Sequence, residues 1–485
     1  MAKRTAVIDI GSNSARLVIF QKTSRYGFHL LAQHKSRVRI GEGAYKREGN
    51  LQAEPMERAF ETLRSFAQIL DAYRVKKILC VATSALRDAP NRSLFLSRVK
   101  EELGLVIRVI DGEQEARYGA IAAKNLLPVH DAVSIDIGGG SADMALIRNG
   151  KILEAFSLNL GTVRLKELFT RKTLQTKEAK AYITHELDRL PESFRSLIAI
   201  GIGGSARALA KGVMVQGDYP FDKLHAFEYA VEEQREYFDD IVHASIRQLE
   251  GLSIQTERHD TIREGVLILQ MILEHIGATK VMTSGVGVRE GVYLHALLKR
   301  DGDRFPADIN PSIQSIRDRL DLLEFPSSHK RKMGRELFDL FQDKFDGTDE
   351  EKRMLLYALE LSNIGKMLTI YKEHQHAFYV AKHELNFGFT HAQMLLIAMI
   401  LRSKGKKYHK ELFKTYASLL PGKKRLKWLI FIYSLVLILD ENAPGTRVTF
   451  RRENNILKID GDFAGHLIRE AIGKLPLVGK IEIKI

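Results

Sequence analysis

The chain has 485 residues, 45% hydrophobic and 28% charged, which excludes both a single small core and a disordered tract and leads us to expect two to four domains. Lysine and arginine outnumber aspartate and glutamate 74 to 60, a net charge of +14 that suits an anionic partner. The longest apolar stretch, WLIFIYSLVLIL at 428–439, falls short of the roughly 17–25 residues that span a bilayer, so it reads as a buried helix and no membrane partner is expected.

The first elements are strands at 5–10 and 15–21, joined by a glycine turn. No signal-peptide-like apolar stretch precedes them. A helix is expected at 55–73, from Met56, Ala59, Phe60, Leu63, Phe66, Ala67 and Leu70 at helical spacing. KKILCVAT then reads as a buried strand. It holds Cys80, the one cysteine, whose burial as a free thiol fits a reducing, cytoplasmic setting. NRSLFLSRVKEEL predicts a helix ending at Gly104, LVIRVID a strand, and EQEARYGAIAAKNLL a further helix.

At 132 the pattern restarts. IDIGSNSA at 8–15 and IDIGGGSA at 135–142 agree at six of eight positions, with an offset of 127. So long a period predicts two similar α/β domains, each opening on the same hairpin, here divided as 1–124 and 125–299. RDGDRFPADINP at 300–311 reads as a linker. Only helical patterns follow, over 312–442, and 443–485 alternates like a small α+β region. Two segments are strongly basic: residues 1–50 carry ten Lys/Arg against three Asp/Glu, and 401–430 carry ten against one.

The two glycine turns are the main chemical signal. Glycine lets successive N–H groups point at one anion, and small polar side chains add donors. Gly11, Ser12, Asn13 and Ser14 form one candidate phosphate cradle, and Gly138, Gly139, Gly140 and Ser141 the other. Each follows an aspartate, Asp9 or Asp136, which would repel phosphate unless a hard cation such as Mg²⁺ lay between them. No Gly-Lys-Ser/Thr follows either turn, so neither is a P-loop. GIGGSARAL, with Gly203 and Gly204, and SGVGVREGV stand at strand-to-helix corners, where α/β folds bind ligands.

DIGSNSARLVIF, ATSALRDA, DGEQEARYGA, DIGGGSADM, GIGGSARAL and SGVGVREGV occur here in the order found in the exopolyphosphatase / guanosine pentaphosphate phosphohydrolase family, which the chain resembles over about 1–300. The resemblance implies two actin-like (ribonuclease H-like) domains around a cleft and hydrolysis of a terminal phosphoanhydride. It implies Glu115 as the catalytic carboxylate, with Gln114 replacing a family glutamate, and Arg87 as a cleft arginine holding phosphate oxygens. It implies metal or water contacts from Asp9, Asp136 and Asp143, the last where the family commonly has glutamate.

The helical part resembles an HD-type phosphohydrolase-like domain. Ser362 and Asn363 stand where such a site needs its His-Asp dyad, so no catalytic metal is expected there. This domain is expected to extend a basic channel or to form dimer contacts. The reading at this point is a Mg²⁺-assisted hydrolase of polyphosphate or guanosine pentaphosphate, expected as a cytoplasmic homodimer with no nucleic-acid partner. A kinase or ATPase of the same superfamily and a non-catalytic sensor of polyphosphate or alarmone are the alternatives.

Overall fold

A computed structural model describes residues 3–44, 47–170, 174–320, 327–405, 408–462 and 465–485. Lys406 and Lys407 of the second basic segment lie outside the described residues. The chain divides into two compact units, 1–311 and 312–485.

The first unit holds two sheets. The first is built from β1 (Arg4–Ile10), β2 (Ala15–Lys22), β3 (Phe28–Ser36), β4 (Lys77–Ala82) and β5 (Ile107–Val109), in the order β3-β2-β1-β4-β5. β1, β2 and β3 run as an antiparallel meander, while β4 lies parallel to β1 and β5 parallel to β4. The second sheet uses β6 (Ala132–Ile137), β7 (Ala142–Arg148), β8 (Lys151–Leu158), β9 (Ile198–Ile202), β10 (Glu228–Ala230) and β11 (Lys280–Thr283). Its order, β10-β11-β9-β6-β7-β8, repeats the first with one added antiparallel edge strand. The repeat seen in eight residues therefore extends to the topology of both sheets, as in a pair of actin-like halves.

Burial explains why these runs form strands. Ala6, Val7, Ile8, Leu17, Val18 and Ile19 are fully buried, because β1 and β2 are covered on both faces. The helix Ala53–Ala72 lays Phe60, Leu63, Phe66 and Leu70 on the first sheet's core. The helix Arg92–Leu103 ends on Gly104 in the left-handed region, as expected of a glycine C-cap. Cys80 is buried as a free thiol, and burial pushes its pKa up, so it is inert as a nucleophile. The segment 300–311 does not act as a free tether. Asn125 binds the Asp303 carbonyl and the Phe305 N–H, and Phe305 stacks on Phe28.

The second unit is helical from residue 312, within the helix Pro311–Leu320, to Lys423–Asn442 and then forms β12 (Val448–Glu453), β13 (Ile456–Gly461) and β14 (Glu482–Lys484), with a helix at Gly465–Gly473. In Lys423–Asn442, Trp428, Phe431 and Tyr433 are buried against the unit's own core. Among the described residues no helix is long and apolar enough to cross a membrane.

Candidate active site

Both glycine turns close in the same way. The Gly11 N–H donates to the Ser14 carbonyl at 3.1 Å, and the Gly138 N–H to the Ser141 carbonyl at 2.9 Å. These two amides are therefore spent on the turn and do not face a ligand, a correction to their place in the cradles. Among the described residues, no acceptor takes the N–H of Ser12, Asn13, Gly139 or Gly140. The turns meet: a Cβ on Gly139 would stand 3.0 Å from the Ser12 Cβ. Ser12 in turn shares a 2.9 Å hydrogen bond with Ser84, the first residue of the short helix Ser84–Asp88.

That short helix carries Arg87, whose Nη1 lies 3.1 Å from Glu115 Oε2. Glu115 stands in the first turn of the helix Gly112–Leu126, whose start is fixed by the Asp111 carboxylate accepting the Gln114 N–H at 2.7 Å. Burial raises the Glu115 pKa well above the ordinary range. The charge of Asp143 adds to the rise, Arg87 opposes it, and Asp136 and Asp9 add a little more. Asp143 is 3% exposed and is held by Ser157 Oγ at 2.5 Å and Ser141 Oγ at 3.0 Å. Its pKa is pushed up to about 7, mainly by burial. The two serines keep this carboxylate fixed in a pocket with little water.

Asp9 and Asp136 face a different environment. Burial raises both, Asp136 to about 6, while arginine charges pull them back: Arg289 then Arg16 for Asp9, and Arg207 then Arg16 and Arg289 for Asp136. Gly203 presses on the Asp136 carboxylate. A Cβ there would come within 2.6 Å of its Oδ1, and φ is +88°. Gly204, the other glycine of that corner, is covered by the Arg258 guanidinium. Burial and the neighbouring Arg16 and Arg289 lower the Arg207 pKa to about 10, and Lys35 is lowered by burial and then by Arg16, Arg258, Arg37 and Arg207. Arg289 is buried, and its Nη1 has no hydrogen-bond partner. A cleft that crowds like cations in this way is built to receive an anion.

Sequence patterning alone does not single out these cations, although it carries a signal for them. In the hairpin ladders Asp9 pairs with Arg16, and Asp136 pairs with Asp143. Arg16 is thus the repeat-equivalent of Asp143, one residue beyond the matched octapeptides. Arg207 and Arg289 lie inside the quoted GIGGSARAL and SGVGVREGV.

The three aspartates do not form one ligand set. Among the described residues, no three His, Cys, Asp or Glu side chains converge as a metal site would require. Asp143 is turned to its serines and toward Glu115, whereas Asp9 and Asp136 are matched by arginines. The donors present are all carboxylates whose pKa values are raised, which fits a hard divalent cation sharing its shell with phosphate and water. It does not fit a cation caged by protein alone.

Across the cleft, Arg37 reaches Asp260 at 2.6 Å, Arg39 reaches it at 3.7 Å, and Arg164 reaches Asp88 at 3.3 Å. The space between Ser12 and Asn13 on one side and Val163, Lys166 and Thr261 on the other is a cavity of about 260 Å³. That is small for a whole nucleotide, and its lining mixes Arg39 and Lys166 with Glu42, Glu167 and Asp260.

A model of the Ppx/GppA phosphatase family matches residues 18–300. A Photobacterium profundum protein named guanosine-5'-triphosphate,3'-diphosphate pyrophosphatase is 26% identical over 408 residues, covering 82% of this chain and 79% of its own. Among solved structures, the Aquifex aeolicus member of the Ppx/GppA family is 29% identical, with a TM-score of 0.54, covering 62% of this chain and 99% of that one. An exopolyphosphatase from Cytophaga hutchinsonii is 25% identical, with a TM-score of 0.57, covering 62% of this chain and 98% of that one.

Proposed function

The chain belongs to the Ppx/GppA phosphatase family and is a hydrolase, and from that premise we propose that it removes the terminal phosphate of inorganic polyphosphate, guanosine pentaphosphate or both. The observation that carries this reading is the part-buried Glu115–Arg87 pair, at 3.1 Å, beside two glycine turns in contact. The free amides of Ser12, Asn13, Gly139 and Gly140, with the Ser141 corner, receive the terminal phosphate. Arg87 donates to its oxygens and so neutralises charge that grows in transfer. Glu115 orients the attacking water and takes its proton, a task for which a raised pKa makes a carboxylate a better base. Arg16, Arg207 and Arg289 hold the rest of the polyanion.

Divalent metal, Mg²⁺ by preference, would be held by Asp143 with phosphate and water oxygens, Asp9 and Asp136 standing near, and would supply charge neutralisation. Phosphoryl transfer to water needs positioning above all, and the buried serine-held acid, the glycine turns and the arginines provide it. We assign the second unit an HD-like ancestry without its own metal. Ser362, at the dyad's place, accepts a hydrogen bond from the buried Lys330 ammonium at 2.7 Å. Dimer contacts and a cytoplasmic location complete this reading.

The test is phosphate release from polyphosphate and from guanosine pentaphosphate side by side, with and without Mg²⁺. Glu115→Gln is expected to lose on the order of 10²–10⁴ in kcat with no loss of thermal stability. Hydrolysis by Glu115→Gln at the wild-type rate would overturn the assignment.

A further inference from the structure

A second cavity, of about 720 Å³, lies at the end of β1 opposite to Asp9. Its size is that of a small-molecule site. Six cations line it: Lys3, Arg4, Lys22, Arg74, Lys76 and Lys77. They come from the start of β1, the end of β2 and the approach to β4, which the sheet order brings side by side. Arg4 donates to the Tyr73 carbonyl at 2.6 Å. Among the described residues, none of the six has a carboxylate within ion-pair distance. Elsewhere on this chain surface arginines and lysines commonly pair with acids, so the cluster departs from the rest of the surface.

The floor is apolar, formed by Tyr293, Ala296 and Leu297 of the helix Val288–Leu298. Tyr293 is 3% exposed, and its hydroxyl is buried with no hydrogen-bond partner. Stacking on Phe20, with centroids 4.2 Å apart, fixes the ring. An unsatisfied buried hydroxyl costs stability, and a ligand that bonds it recovers that cost.

We propose that this cavity is a second binding site, for a nucleoside polyphosphate. The cationic rim fits several phosphates. The apolar floor and the Tyr293 hydroxyl fit a flat heteroaromatic group with polar edges. Inorganic polyphosphate shares the phosphate chemistry but offers nothing to the floor. This inference does not depend on the activity assigned to the cleft.

Equilibrium dialysis of the full chain against GTP and, separately, against inorganic tripolyphosphate tests it. Lys76→Glu/Lys77→Glu, two exposed positions outside the cleft, is expected to weaken a GTP-binding phase at least tenfold and to leave phosphate release from polyphosphate unchanged. Tyr293→Phe, which removes only the hydroxyl, is expected to weaken GTP several-fold and tripolyphosphate not at all. GTP binding untouched by the lysine variant overturns the site. Tripolyphosphate binding as tightly as GTP, with Tyr293→Phe silent, overturns the nucleoside component.

Discussion

Glu115 and Asp143 are two carboxylates pushed the same way by burial and by each other, and that coupling sets how the site responds to pH. With Glu115 as the proposed base, which must be ionised to act, kcat/KM is expected to rise with pH through its raised pKa. Asp143→Asn removes a charge that raises it, so the acid limb of the profile moves to lower pH. Arg87→Ala removes the charge that lowers it, so the limb moves to higher pH, and the maximal rate falls on the order of 10² as a charge-assisted contact to phosphate is lost. Profiles that stay superimposed after both substitutions would sink the role of Glu115 as base. Glu115 and Arg87 were reachable from sequence through motif context. Their pairing was not, because 28 residues separate them and only packing closes the gap.

At the scale of elements, the duplicated hairpin is the organising unit. The octapeptide repeat read from the chain predicted two similar domains, and the shared strand order supports that duplication. The five-residue helix Ser84–Asp88 escaped notice, being too short for periodicity to register. Gly203 ties one corner to the carboxylate of the second hairpin, so Gly203→Ala is doubly disfavoured: φ is +88°, and the new methyl would crowd Asp136. Activity is expected to fall at least tenfold, with a loss of ~1–2 kcal/mol in stability for a non-glycine residue held at positive φ. Paired phosphate-release and denaturation measurements check this. Full activity in a destabilised protein would show that Asp136 is not held by this corner.

For the whole molecule, two consequences follow from how the first unit closes. Asp260 is shared by Arg37 and Arg39 across the cleft, so Asp260→Ala is expected to favour an open cleft. Its effect should appear in KM more than in kcat, and equal changes in both would argue against a closing role. The raised acids of the cleft also make stability depend on pH. Asp136 and Asp143 keep protons to about 6 and about 7 in the folded chain, whereas the unfolded chain releases them near the ordinary 3.8. The folded state therefore loses relative stability as pH rises from about 4 to 7, and the loss is complete above that. The thermal midpoint of Asp143→Asn should exceed that of the wild type increasingly over this window and match it near pH 4. A constant difference would show that Asp143 is not buried as an acid.

Local sequence by itself determined the elements, the duplication and the kinds of group in the cleft, because periodicity, caps and glycine turns act over a few residues. It also named Glu115, through its place in an ordered set of motifs. Only tertiary structure decided which amides remain free, since Gly11 and Gly138 close their own turns. Folding also gathered Arg16, Arg207 and Arg289 around the aspartates and left Asp143 apart with its serines. Those outcomes depend on side chains up to 280 residues apart meeting in a low-dielectric cleft. There, net charge is set by geometry and desolvation rather than by composition.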